Sequence, residues 1–345
     1  MTRKIRRLLS FLSPLLLGLR VSSMAHAQTE AGNPLTADHL IPIGSGRQMN
    51  MVCTGHGSPT VVFEYGLGGH MLNWAKVQPA ISAITRACFY DRAGYGSSEP
   101  SSRPMTAENV TNDLYWLIEK AGIGKPFVLA AHSLGGLYAT FYTDRFPSQV
   151  AGLVLIDPSF ARQDLDETAE EQSRAQRVYG NSQAALARCA ALAHAHLLSA
   201  VNPNGCFSFP AGLPPNERDY LIRQFLNPFR WDAMLSESRN LHQAGALSED
   251  EQEEQRAATS WGNKPVIVLT AGLAPKQPDQ SEEEHQKNMA HWKAGHDKLA
   301  ARSTHGESIA VGNASHTIQL DQPQAVIEAI EKVVSEVQAD RANRR

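Results

Sequence analysis

No apolar run in this 345-residue chain is long enough to cross a bilayer as a helix, which takes about 20 residues. The run from Leu8 to Leu19 is short and is broken by Ser10, Ser13, Pro14 and Gly18. No Cys-x-x-Cys pair occurs, which argues against a zinc or thiol-redox site. No Gly-x-Gly-x-x-Gly opens a helix, so a dinucleotide-binding fingerprint is missing. Internal repeats and low-complexity tracts are absent. Excess positive charge is absent as well: 32 basic against 35 acidic residues give a net charge of −3. Such a chain has no electrostatic reason to bind nucleic acid or anionic lipid.

The N-terminus does carry a pattern. Arg3, Lys4, Arg6 and Arg7 precede the short apolar run, and Ala25-His26-Ala27 puts small residues where a signal peptidase reads. This is the layout of a secretory signal peptide over residues 1–27, so the expected location is secreted or periplasmic, with no stable membrane anchor after cleavage. Cleavage removes five basic residues (Arg3, Lys4, Arg6, Arg7, Arg20) and no acidic ones, leaving 27 basic against 35 acidic and a net charge of −8. The four cysteines, Cys53, Cys88, Cys189 and Cys206, suit an exported chain with disulfides and allow three pairings.

Beyond the leader, β-rich runs alternate with helical ones. Strands are expected at Gln48–Cys53, Thr60–Tyr65, Ala87–Tyr90, Pro126–Ala131 and Val150–Ile156. Helices are expected at Trp74–Thr85, Thr106–Ala121 and Leu134–Arg145. Uninterrupted apolar strands separated by helices imply an α/β fold: a mostly parallel, doubly wound sheet covered on both faces. The alternation stops at residue 161. Residues 161–262 read as a helical insertion rich in Ala, Gln, Glu and Arg, whose acidic run Glu249–Glu254 is expected to be a solvated face. Strands resume at Pro265–Thr270 and Ser308–Val311, and a last helix runs from Pro323 to Val337 with Asp321 as its expected N-cap.

Ala131-His132-Ser133-Leu134-Gly135-Gly136 stands where a strand ends and a helix begins. A serine on so sharp a turn is held proud of the sheet edge, and small residues two before and two after it, here Ala131 and Gly135, relieve the crowding. Three further segments follow the same plan: Glu64-Tyr65-Gly66-Leu67-Gly68-Gly69, Asp91-Arg92-Ala93-Gly94-Tyr95-Gly96-Ser97-Ser98, and Gly312-Asn313-Ala314-Ser315-His316 with Gln319-Leu320-Asp321-Gln322-Pro323 behind it. With these landmarks in order, residues 40–340 resemble the α/β-hydrolase fold superfamily, in its esterase/peptidase-like branch with a helical lid.

The resemblance implies a core of residues 28–160 and 263–345 with a lid at 161–262. It implies a nucleophile at Ser133, a base at His316, and backbone oxyanion donors at Leu67 and Leu134. Tyr65-Gly66 replaces the family's frequent His-Gly, which matters little for a backbone donor. Asp91 and Arg92 are expected to hold their turn, and His132 to pack. The acid is less plain. The usual place, after the seventh strand, reads Ala271-Gly272-Leu273-Ala274-Pro275 with no carboxylate. Asp157, ending Val154-Leu155-Ile156, is the preferred acid, because a strand end holds it rigidly; Asp279 is the alternative. In this fold the strands of Cys53 and Cys88 are neighbours, so the expected pairs are Cys53–Cys88 and Cys189–Cys206. The second closes a short loop worth about 3 kcal/mol on the chain-entropy argument.

The expected chemistry is hydrolysis of a small-molecule ester or amide through an acyl-enzyme, with carboxylic esters preferred and no metal or organic cofactor. An aminopeptidase or amidase, a carbon–carbon bond hydrolase and an acyltransferase would use the same residues. The peptidase would need acidic lid residues facing the pocket, such as Asp164, Asp166 or Glu167. Dehalogenases and epoxide hydrolases of this fold use an aspartate where Ser133 stands. A non-catalytic binding protein of the fold would usually have lost one of these residues.

Overall fold

The computed structural model describes residues 34–36, 38–44, 46–161, 163, 169–242, 248–257, 260–276 and 280–343. The expected leader, Asp279 and the candidate lid acids Asp164, Asp166 and Glu167 lie outside them.

Eight strands form one sheet: β1 (Leu40–Gly44), β2 (Arg47–Thr54), β3 (Val61–Glu64), β4 (Ala87–Tyr90), β5 (Phe127–His132), β6 (Val150–Ile156), β7 (Gly262–Ala271) and β8 (Ser303–Val311). Their order is β1-β2-β4-β3-β5-β6-β7-β8. β1 and β2 run antiparallel, and every pair from β4 through β8 is parallel. The helices are α1 (Gln78–Ile84), α2 (Ala107–Lys120), α3 (Leu134–Arg145), α4 (Ala169–His194), α5 (Pro215–Leu226), α6 (Pro228–Leu241), α7 (Glu249–Ala257), α8 (Glu282–Ala300), α9 (Ile318–Asp321) and α10 (Pro323–Asn343).

Alternation along the central strands explains why they read as continuous apolar runs. Val128, Ala130, Val154 and Ile156 face the core shared with α1 and α10, where Ile81, Ile330 and Val333 pack. Leu129, Ala131, Leu153 and Leu155 face the opposite core, where Leu114, Leu117 and Ile118 of α2 and Tyr142 of α3 pack. With both faces dry, each such Val, Leu or Ile side chain contributes about 1.5–3 kcal/mol of burial. Cys53 and Cys88 are directly opposed across β2 and β4 and are bonded to each other, and Cys189 is bonded to Cys206.

Four features depart from the sequence reading. β1 was not expected; Pro42 interrupts Ile41 and Ile43, and a proline is tolerated there because β1 is an edge strand. α8 went unassigned although Ser281 and Glu284 form a reciprocal capping box at its start. The acidic run is not a solvated face. Asp250 is fully buried and accepts the Ala107 amide at 2.7 Å, and Glu253 accepts the Glu108 amide at 2.6 Å. These carboxyl groups satisfy the free N–H groups at the start of α2, while burial pushes the pKa of both up. Asp321 does not cap α10 either. It ends α9, and its carboxylate takes the Ser315 amide at 2.8 Å, because the chain there folds back on itself rather than running straight into the last helix.

Candidate active site

The C-terminal ends of β3, β5, β6 and β7 converge with the loops that follow them. β5 delivers Ser133 at φ 55° and ψ −127°, a backbone conformation that few L-residues adopt, and α3 begins at the next residue. Close packing holds the turn. A Cβ on Gly135 would stand 2.6 Å from the Tyr65 carbonyl, and one on Gly66 would stand 2.8 Å from Ser133 Cβ. The Ser133 amide donates to Ile156 at 3.1 Å, and its carbonyl accepts from Ser159 at 2.9 Å.

His316 lies between β8 and α9. Its Nδ1 is 2.6 Å from Asp157 Oδ2 and its Nε2 is 2.8 Å from Ser133 Oγ. An ionised carboxylate only accepts, so Nδ1 carries the hydrogen; in the neutral ring Nε2 is then the acceptor for the Ser133 hydroxyl. Asp157 ends β6, also at positive φ (44°). Its Oδ1 accepts the Ala271 amide and the Trp292 indole N–H, each at 2.9 Å. Burial pushes the Asp157 carboxyl up. The hydrogen bond and charge of His316, with the bonds from Ala271 and Trp292, outweigh it and hold the group below the usual carboxylate range. The end of β7, which carries no carboxylate, thus supplies an amide to the acid on β6.

The turn Gly66–Gly69 closes through the Gly69 amide to the Gly66 carbonyl at 3.0 Å, with Gly68 at φ 67° as a type II turn requires at that place. Leu134 is the first residue of α3, so its amide has no acceptor within the helix. Leu67 and Ser133 line one cavity of about 690 Å³ together with Asn73, Gln163, Glu171 and Lys287.

The chain belongs to the α/β-hydrolase fold family. The family model for the alpha/beta hydrolase fold matches residues 59–323. The uncharacterized protein YqjL of Bacillus subtilis is 23% identical over 276 residues, 80% of this chain and 83% of that protein. The human (lyso)-N-acylphosphatidylethanolamine lipase is 32% identical over 101 residues, 28% of this chain and 30% of the lipase. Several such matches are partial, down to 15% of a Schizosaccharomyces pombe protein. Among solved structures, a loop variant of the haloalkane dehalogenase DbeA from Bradyrhizobium elkanii superposes with a TM-score of 0.66 at 20% identity, covering 90% of this chain and 99% of that one.

Within this α/β-hydrolase, Ser133, His316 and Asp157 lie together, while Asp279 is outside the described residues. Other neighbours escaped the sequence reading. His132 is not mere packing: its Nε2 donates to the His316 carbonyl at 2.9 Å, and burial with the nearby His316 pushes its pKa down to about 3. His296 is fully buried, with Nε2 donating to Pro158 O at 2.9 Å and Nδ1 paired with Thr270 Oγ1 at 2.8 Å, which steadies the residue after Asp157. Trp292 and His296 sit one turn apart on α8, and assigning that helix from its capping box would have placed both on one face.

Proposed function

We propose that this α/β-hydrolase is a serine esterase that cleaves carboxylic esters through an acyl-enzyme. The observation that carries the reading is the continuous line of hydrogen bonds from Ser133 through His316 to Asp157. Ser133 Oγ attacks the ester carbonyl carbon as its proton passes to His316 Nε2. The imidazolium so formed is stabilised by the buried Asp157 carboxylate. The amides of Leu67 and Leu134 bind the oxyanion, and His316 returns the proton to the leaving alcohol. Water, activated by His316, then releases the acid.

The cavity sets the apolar surfaces of Leu67, Leu241 and Trp292 beside the polar groups of Asn73, Gln163 and Glu171, which suits a small ester with an apolar part and a polar part. Glu171 supports a second reading. It is a buried carboxylate on the cavity wall, 3.5 Å from Lys287 Nζ, and a buried acid suits a substrate with a free amine, as in an aminopeptidase. A serine in place of a carboxylate on the elbow argues against the halide chemistry of the dehalogenases of similar fold.

The helices inserted between β6 and β7 act, in this reading, as the lid over residues 161–262. Two disulfides support export, since such bonds persist in oxidising compartments, and residues 1–27 would be the leader.

The test is turnover of p-nitrophenyl esters of increasing chain length, beside aminoacyl p-nitroanilides, with Ser133→Ala as control. Serine-dependent turnover that is best on acetate or butyrate supports the esterase. Turnover confined to the anilides selects the peptidase. Folded protein inert toward both sinks the reading.

A further inference from the structure

Past the end of β3, the carbonyls of residues 65–69 have no neighbouring strand to pair with. Two buried arginines take four of these five. Arg92 donates through Nη1 to the Tyr65 carbonyl at 2.6 Å and through Nη2 to the Gly66 carbonyl at 3.0 Å. Arg230 donates through Nη2 to the Gly68 carbonyl and through Nη1 to the Gly69 carbonyl at 3.2 Å. Each arginine is 1% exposed.

Both grips lead to the same helix. Arg230 is in the first turn of α6, over the rings of Phe225 and Tyr95. Arg92 follows β4, but its guanidinium is held by Glu237 of α6, Nε to Oε1 at 2.7 Å and Nη2 to Oε2 at 3.2 Å, and by Glu64 at 2.5 Å. Arg230 and Glu237 are seven residues apart, which places them on one face of α6. That face is turned to the glycine turn.

A peptide unit is planar, so the Gly66 carbonyl and the Leu67 N–H point in opposite directions along one rigid plate. Holding the carbonyl fixes the aim of the amide. Arg92 does this from behind, and Arg230 fixes the Gly68–Gly69 and Gly69–His70 planes on the far side of Leu67, so the turn is held at both ends and cannot rotate as a unit.

Burying a guanidinium is costly, and here the cost is offset by bonds to the Gly68 and Gly69 carbonyls, which an apolar side chain would leave unpaired. Among the described residues Arg230 Nε has no acceptor, and the guanidinium's bonds go to the Gly68 and Gly69 carbonyls and, at 3.3 Å, to Gln224. We propose that Arg230 is a positioning residue: with the Arg92–Glu237 pair it makes α6 the clamp that aims the Leu67 amide. This rests on the assignment of Leu67 as an oxyanion donor.

The experiment compares full-chain Arg230→Ala and Arg230→Lys with wild type. The readouts are p-nitrophenyl acetate kinetics with and without millimolar guanidinium, melting temperature, and amide hydrogen exchange of the peptide spanning residues 65–70. A misaimed donor should cut kcat by about 10–100-fold in Arg230→Ala. KM should stay within about threefold, since ground-state contacts are untouched. Guanidinium should restore part of the lost rate, lysine should fall between alanine and arginine, and exchange at residues 65–70 should quicken. Unchanged exchange overturns the proposal, as does unchanged kcat in variants whose only defect is a lower melting temperature. If alanine prevents folding, the lysine variant carries every readout. If wild type shows no Ser133-dependent turnover, the esterase reading fails by itself, and the exchange comparison still decides whether α6 clamps the turn.

Discussion

Replacing Asp157 by asparagine isolates the role of one charge at nearly constant volume. The new carboxamide oxygen can still accept from the Ala271 amide and the Trp292 indole, as Oδ1 does now. Its NH2 group must then face His316 Nδ1, where Oδ2 accepts at 2.6 Å today. A donor there forces Nδ1 to become the acceptor and puts the ring hydrogen on Nε2, so the ring can no longer take the Ser133 proton. The expected loss is about 10⁴-fold in kcat, or about 5.5 kcal/mol of transition-state stabilisation. KM should change little. Ester turnover by Asp157→Asn and Asp279→Asn, with circular dichroism to confirm folding, checks the reasoning. A folded Asp157→Asn enzyme within tenfold of wild type, with Asp279→Asn inactive, would refute it and hand the role to Asp279.

Three more outcomes are expected. Gly66→Ala drives a Cβ to 2.8 Å from Ser133 Cβ and should lower kcat by about 100-fold, measured on p-nitrophenyl acetate with the melting temperature alongside. His132 is held neutral when folded, its pKa pushed down to about 3, but protonates below about 6.5 when unfolded, so it favours the unfolded state increasingly as pH falls from 6.5 toward 3. His132→Gln should therefore lose about 1.4 kcal/mol less stability than wild type between pH 7.5 and 5.5 in urea titrations, and parallel pH profiles would count against this. Burial also lifts the Glu64 carboxyl to about 7, an effect of opposite sign that is common to both proteins and drops out of the comparison. Cys189→Ser with Cys206→Ser opens a link between residues 17 apart and should cost about 3 kcal/mol in the same titration, with esterase activity retained under native conditions.

What could be read from the sequence was whatever is local. The parallel strands carry their burial in uninterrupted runs such as Val128–Ala131, and the elbow around Ser133 shows itself in six consecutive residues. Asp157 was readable because it ends such a run. The partners that hold it were not. Trp292 lies 135 residues further on, in a helix whose polar surface gives weak periodicity. Arg230 and Glu237 looked like ordinary charges of a helical insertion, because nothing local distinguishes a guanidinium facing water from one facing bare carbonyls. The acidic run of α7 misled for the same reason: its carboxyl groups accept from the first amides of α2, some 145 residues earlier.

The buried Glu64–Arg92–Glu237 cluster also bears on traffic. Pulling α6 away would strand buried charges, at a cost of about 3–5 kcal/mol. At about 4 kcal/mol, only about one molecule in a thousand is detached at any moment. α6 is therefore a wall and not a door. The opposite side, between α4 and α8, is joined by two longer ion pairs, Glu171–Lys287 at 3.5 Å and Arg174–Glu284 at 3.6 Å, and with the Lys287 side chain 54% exposed these hold less firmly than the buried bonds of Arg92. Substrate entering and product leaving would pass there, so substitutions that alter how fast substrate arrives should map to α4 and α8, and those that alter how fast it reacts to α6.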